Sequence, residues 1–245
     1  MSSAATAARA RILPHGPLDL IRQLAIWFGF LFAYRYTRGV ADRDAFQAFQ
    51  NGLRVADFEH RITGLWELSL QSFVASSNVL REATSLTYWH SQFTVLGLVL
   101  LWVYLRRNDH FVPLRNTILL ANVIGLVGFV LMPTAPPRMF PELGFVDTLA
   151  NFASLNHGSG LIQLASNPYA AMPSLHSADS LIVGLIMASL VTRWWAKALW
   201  LAWAPWVWFS VMATGNHFWL DIAAGVLVAA VAALILERRR LLRFI

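Results

Sequence analysis

The sequence predicts an all-α polytopic membrane protein, with six transmembrane helices and interfacial amphipathic helices in its first outer loop. Three observations predict it. Hydrophobic residues make up 57% of the 245 residues and charged residues only 13%, against roughly 45–50% and about 25% in ordinary soluble domains. The apolar residues gather into runs close to the length of about 20 that a bilayer core of about 30 Å requires. The positive charge is almost wholly arginine, with Lys197 the only lysine, and it lies beside those runs. Such a chain has too little polar surface for a soluble globule, a disordered segment or a collagen-like fibre. A net charge of +6 with a pI near 10.5 reads as membrane-flanking charge rather than a surface for nucleic acid. The absence of cysteine excludes a disulfide framework, a thiolate metal site and a thiol nucleophile.

Taken in order, the residues before Leu18 lack the apolar core and small-residue cleavage site of a removable signal. The first span, 18–36, is therefore expected to act as an uncleaved insertion signal. The stretch 64–82 opens Leu65-Trp66-Glu67-Leu68 but continues through Gln71, Ser72, Ser76, Ser77 and Asn78. Such a polar series is costly in lipid, so 43–62 and 64–82 are read as amphipathic helices lying in the interface; a seventh span is the alternative for 64–82. Further spans are expected at 86–105, 116–132, 175–192, 195–213 and 217–236. The last three are the clearest, since Arg193, Lys197 and Asp221 are the only charged residues between Leu181 and Leu236. Six of the 11 tryptophans fall between Trp194 and Trp208; the first suit an interface belt and the deeper ones helix packing. Pro205 predicts a kink in that span. Residues 1–245 read as one domain, with the core motifs at 132–225.

Six spans place both termini on one side. Arg9, Arg11, Arg106, Arg107, Arg115, Arg193, Lys197, Arg238, Arg239, Arg240 and Arg243 then share that side, which the positive-inside rule makes cytoplasmic. The loops 37–85 and 133–174 and the turn 214–216 face outward. The run Arg238–Arg240 reads as a stop-transfer signal and a contact for anionic lipid.

Ionisable groups near a span usually mark function, because placing them there is costly. Three clusters fall at the outer ends of spans. Met132-Pro133-Thr134-Ala135-Pro136-Pro137-Arg138 ends one helix in a proline-stiffened turn that presents an arginine. Met172-Pro173-Ser174-Leu175-His176 opens the fourth span, and Thr214-Gly215-Asn216-His217-Phe218-Trp219-Leu220-Asp221 opens the sixth. His217 and Asp221 are four apart, on one helical face, so the carboxylate can hold one imidazole nitrogen and fix the tautomer. His176 enters the membrane at the same depth and can face His217 across a gap. Two facing histidines suit in-line displacement at phosphorus, one attacking while the other protonates the leaving oxygen. Arg138, Ser174 and N–H groups at a helix start would clamp the phosphoryl oxygens. Taken alone, the His-Asp pair also fits a proton relay in a transporter or a buried structural pair, and with His176 a zinc site. No HExxH or similar motif is present, and Arg138 suits an anion better than a cation.

Pro173-Ser174-Leu175-His176 and Gly215-Asn216-His217-Phe218-Trp219-Leu220-Asp221 resemble the second and third signature motifs of the type 2 phosphatidic acid phosphatase superfamily. Pro136-Pro137-Arg138 looks like a remnant of the first. Leu175 in place of the usual glycine, and the Thr-Ala-Pro-Pro-Arg turn, resemble the branch of aureobasidin-sensitive inositol phosphorylceramide synthase and its bacterial relatives. The resemblance implies a six-helix membrane enzyme that uses no metal or other cofactor. It makes His217 the nucleophile, Asp221 its orienting partner and His176 the general acid, with Arg138 and Ser174 on the phosphoryl oxygens. It also implies a membrane lipid phosphoester as substrate, with water or the hydroxyl of a lipid or polyol as acceptor.

The chain departs from the pattern in two places. Val211 follows Ser210 where most members carry an arginine, and the lysine that starts the first motif is absent, leaving Arg115 as a stand-in. A clamp with fewer cations favours a singly charged phosphodiester, and hence headgroup transfer, over a doubly charged monoester; Asn216 or a loop arginine such as Arg81 is expected to compensate. His90 and Asp179 are further candidates for substrate contact, Asp179 pairing with His176, Arg138 or water. His157 and His60 read as ordinary loop residues. The 139–171 loop, with Gly144, Gly158, Gly160 and Pro168, is a candidate lid. Arginine in place of lysine and alanine-rich spans suggest a GC-rich, bacterial genome, and the plasma membrane is the expected location.

Overall fold

The computed structural model describes residues 13–41, 45–148 and 169–241. Its helices are α1 (Gly16–Ala41), α2 (Ala45–Thr63), α3 (Glu67–Ala75), α4 (Asn78–His90), α5 (Leu96–Arg106), α6 (Asn108–Leu131), α7 (Leu175–Leu190), α8 (Trp194–Ala213) and α9 (Trp219–Leu241). A π-helical turn, Ser91–Val95, joins α4 to α5. Among the described residues the one β feature is a parallel bridge between Thr134 and Ala170. The protein is all-helical, as expected.

Three stretches are long and apolar enough to cross a membrane: Asn78–Arg106, Asn108–Leu131 and Trp219–Leu236. Leu175–Leu190 is apolar but shorter. The helix expected at 86–105 begins earlier, at Asn78, because Ser77 caps it by accepting the N–H of Leu80 at 3.4 Å. The 64–82 stretch is thereby divided. Its own helix, α3, has nine residues, or about 14 Å at 1.5 Å per residue, less than half the bilayer core.

α7 packs against α8, and α9 against both α6 and α7. Val103, Ile118 and Val183 centre one apolar core; Ala121, Leu175, Ala178, Ala229 and Ala232 centre another. The second is built of small side chains, which let helix backbones approach closely. Gly225 shows how closely: a Cβ there would lie 2.2 Å from the carbonyl oxygen of Ser174 and 2.9 Å from Cβ of Ser177. Helix α2 is amphipathic. Its buried positions Ala48, Asn51, Gly52, Val55, Ala56 and Glu59 recur at helical spacing and pack on Ala135, Phe140 and Phe218 at one end of the bundle.

Candidate active site

The three motif clusters meet at that end. α6 stops at Leu131, since prolines at 133, 136 and 137 cannot continue it. The chain then runs alongside the approach to α7. Thr134 donates its N–H to the carbonyl of Tyr169 at 2.8 Å, and its own carbonyl accepts the N–H of Ala171 at 3.1 Å. The turns bearing Arg138 and His176 thus leave from one place. The third turn joins them through the N–H of Arg138, which donates to the carbonyl of Gly215 at 2.8 Å. Gly215 has φ 70°, the left-handed region that glycine enters without steric cost.

Ser174 fastens α7 to α9. Its N–H donates to the carbonyl of Asp221 at 2.9 Å, and Ser177 Oγ donates to the carbonyl of Ile222 at 3.0 Å. Ser174 Oγ caps α7, accepting the N–H of Ser177 at 3.3 Å. The result is a pair of facing imidazoles, with the His176 and His217 ring centroids 5.6 Å apart and their planes at 60°. His217 is 5% exposed and Asp221 0%. His217 Nδ1 lies 3.4 Å from Asp221 Oδ2, while the same oxygen accepts the N–H of Phe218 at 2.9 Å. At that length the contact is not a well-formed hydrogen bond; catalytic contacts of this kind often tighten when substrate binds. It leaves Nε2 as the His217 nitrogen open to chemistry.

Arg138 borders this pair. Its Nη1 donates to Asn216 Oδ1 at 2.5 Å, and its Nε lies 3.9 Å from Asp147 Oδ2. Asn216 is held in turn by Nδ2 donating to Thr214 Oγ1 at 2.9 Å. These contacts use part of a five-donor fork and aim it with an amide carbonyl. Val211 supplies backbone only, its carbonyl accepting the N–H groups of Asn216 and His217 at 3.0 and 3.2 Å.

Three candidates are placed elsewhere. Arg115 lies near the start of α6, bonded to Gln23 and to Asn116 Oδ1. Sixteen helical residues, about 24 Å at 1.5 Å each, separate it from the end of α6 where Arg138 follows, so it is no stand-in for the missing lysine. His90 is exposed, and its Nδ1 bonds Thr94 Oγ1 at 2.9 Å. Asp179 sits one turn beyond His176, where Asn122 Nδ2 of α6 donates to its Oδ1 at 2.9 Å; its partner is thus neither His176 nor Arg138. Arg81 bonds Asn78 within α4. Residues 149–168, most of the expected lid and including His157, lie outside the described residues.

Other neighbours of the site come from residues the motifs do not contain. Tyr88 stacks on His176, with centroids 4.7 Å apart and planes at 21°. The N–H groups at the start of α9 are already taken by carboxyls. Phe218 donates to Asp221, Trp219 to Glu67 Oε1 at 3.0 Å and Leu220 to Glu59 Oε1 at 2.7 Å. A separate cavity of about 660 Å³ is lined in part by Leu68, Gln71, Arg81, Glu82, Val146 and Thr148. Gln71 holds its wall, bonding both the N–H and the carbonyl of Val146. Among the described residues no three His, Cys, Asp or Glu side chains are grouped to hold a metal ion.

A Bacteroides thetaiotaomicron protein named phosphoinositol dihydroceramide synthase is 28% identical over 132 residues, covering 49% of this chain and 43% of that protein. Candida albicans inositol phosphorylceramide synthase is 25% identical over 123 residues, covering 44% of this chain and 25% of that protein. The chain thus spans less than half the length of each. A crystal structure of Aquifex aeolicus LpxE aligns with a TM-score of 0.48 at 18% identity, covering 66% of this chain and 87% of that one. The family profile described as the PAP2 superfamily matches residues 53–235, from α2 to α9 and through all three motif clusters, and the chain belongs to that superfamily.

Proposed function

We propose that the protein is a metal-independent membrane enzyme that transfers a phosphoryl group from a lipid phosphoester through a phosphohistidine at His217. The observation that carries this reading is the 5.6 Å pairing of His176 with His217, with Asp221 behind one ring and Arg138 at its edge. His217 Nε2 attacks phosphorus as the phosphorus–oxygen bond to the lipid alcohol breaks, and protonated His176 gives its proton to that oxygen. In the second displacement an acceptor hydroxyl attacks phosphorus, His176 takes its proton and the phosphorus–nitrogen bond breaks. Arg138, with Asn216 fixing its orientation, holds the non-bridging oxygens; Ser174 assists from the capped start of α7. One cation in the clamp suits a phosphodiester, so headgroup transfer in the manner of an inositol phosphotransferase is favoured over release of phosphate.

The membrane arrangement belongs to the same proposal. α1, α4 with α5, α6, α7, α8 and α9 are the six spans, with termini cytoplasmic and the site at the outer leaflet of a bacterial plasma membrane. The arginine distribution supports this orientation. A transporter using His217 and Asp221 as a relay has no use for His176 or Arg138, and no observation favours it.

The test uses detergent-purified wild type and His217→Ala with chelator present. Each is incubated with phosphatidate, prenyl phosphates, prenyl diphosphates and phosphatidylinositol, together with a polyol and a lipid alcohol as acceptors, and both free phosphate and new phospholipids are followed. A new phosphodiester without phosphate release, lost in His217→Ala, is the expected result. Phosphate release instead would make the protein a phosphatase, and equal activity in His217→Ala would overturn the mechanism.

A further inference from the structure

Two glutamates outside every motif are fully buried at the start of α9. Glu59 and Glu67 are each 0% exposed, in helices otherwise read as lying in the interface. Each spends one oxygen on a backbone donor of the first turn of α9, Glu59 on Leu220 and Glu67 on Trp219. The second oxygen of each, Oε2, is buried with no donor to satisfy it. Two orphaned carboxyl oxygens, on side chains seated on the adjacent N–H groups of Trp219 and Leu220, can be satisfied together by one proton between them. A buried acid pair also resists holding two charges, whereas a single charge suits the positive end of a helix dipole.

The backbone is bent to bring them there. Gly64 and Leu65, between α2 and α3, have φ of 71° and 53°. Leu65 is a branched residue in the left-handed region, a conformation that costs of order 1–3 kcal/mol and persists only where surroundings enforce it. The bend brings Glu67, at the start of α3, to the first turn of α9 and lays α3 against α8. Thr63 adds a contact, its Oγ1 accepting from Trp219 Nε1 at 3.2 Å while donating to the carbonyl of Glu59.

We propose that Glu59 and Glu67 share a single proton and act as positioning residues: their carboxyl pair, seated on the N–H groups of Leu220 and Trp219, fixes the start of α9 and so holds His217 and Asp221 opposite His176. The role rests on His217 being the nucleophile. The groups facing Glu59 are Glu67 from α3 and Asp221 from α9, the latter in contact with His217. Burial, together with the charge of Glu67, pushes the Glu59 carboxyl up to about 9, so the pair keeps its proton at neutral pH. Above that, the added charge of Glu59 at this helix end loosens the catalytic pair.

The experiment compares full-length wild type, Glu59→Gln and Glu59→Ala in nanodiscs. Glutamine keeps an oxygen for the Leu220 N–H and a donor for Glu67, yet has no proton to lose. Infrared spectra across pH are expected to show the carbonyl band of a protonated carboxyl in wild type, present at neutral pH and absent in Glu59→Gln. With phosphatidylinositol and phosphatidate as probes, kcat of wild type is expected to fall above about pH 9 while Glu59→Gln stays flat. Glu59→Ala is expected to lose about 10²-fold in kcat, the scale of a misplacement near 1 Å, with KM little changed. Absence of the band, an alkaline limb retained in Glu59→Gln, or a wild-type kcat in Glu59→Ala would overturn the proposal. Wild-type turnover matched by His217→Ala would remove His217 as nucleophile and the positioning role with it; the infrared band reports on the shared proton separately.

Discussion

The backbone N–H of Ser174 donates to the carbonyl of Asp221 at 2.9 Å, and this bond sets the distance between the two histidines. His176 lies two residues beyond the donor and His217 four residues before the acceptor. The facing imidazoles therefore depend on how closely α7 and α9 approach, and Gly225 is where that approach is tightest. Gly225→Ala would place a methyl group 2.2 Å from the Ser174 carbonyl, forcing the helices apart. We expect about 1–3 kcal/mol of destabilisation, read by thermal unfolding. Activity should fall more than stability does, read as kcat at a temperature where the variant stays folded.

Arg138 and Arg115 should behave oppositely. Losing the Arg138 guanidinium removes charge-assisted hydrogen bonds worth about 1.5–3 kcal/mol, or roughly 10- to 150-fold in kcat/KM for Arg138→Ala. Arg115→Ala, which disturbs contacts to Gln23 and Asn116 at the other end of α6, should leave kcat/KM within about two-fold. Steady-state kinetics on the two variants checks both.

Tyr88 is stacked on His176, the proposed general acid, and aromatic pairs contribute about 0.5–1.5 kcal/mol beyond their buried area. Tyr88→Ala should lower kcat by roughly ten-fold while Tyr88→Phe stays near wild type. The comparison separates ring stacking from any role of the hydroxyl.

Glu59 gives the stability a pH dependence of known sign. Its carboxyl is raised from 4.5 to about 9 by burial and by Glu67, so between those values the folded protein binds more protons than the unfolded one. The contribution is fully present below 4.5 and is lost progressively as pH rises to about 9. Melting temperature should decline across that window in wild type, and more shallowly in Glu59→Gln. Equal slopes would contradict the buried acid.

The parts of the site legible in the sequence are those written as contiguous motifs. His176, His217, Asp221, Arg138 and Asn216 each sit in a short run whose residue types announce anion chemistry, and the structure gathers them at one end of the bundle. Glu59 and Glu67 were not legible, because a glutamate on an amphipathic helix reads as a solvated position. Their partners, Trp219 and Leu220, lie more than 150 residues away. His90 drew notice from its place near the outer start of the second span, yet Tyr88 is the one that meets His176; two residues turn a helix by about 200°, so the two point to opposite sides. Arg115 was misread for a related reason, since charge type can be seen in a sequence while position along a 24-residue helix becomes distance only once the helix is built. The early start of α4 turned on one capping serine, Ser77.

The central claim is a covalent bond between phosphorus and His217. Rapid quench of wild type with a lipid labelled at phosphorus, followed by peptide mapping, tests it most directly. Label that is acid-labile, forms and decays as fast as turnover, maps to His217 and is absent from His217→Ala is the result expected. Turnover without labelled protein, or label on another residue that persists in His217→Ala, would contradict it.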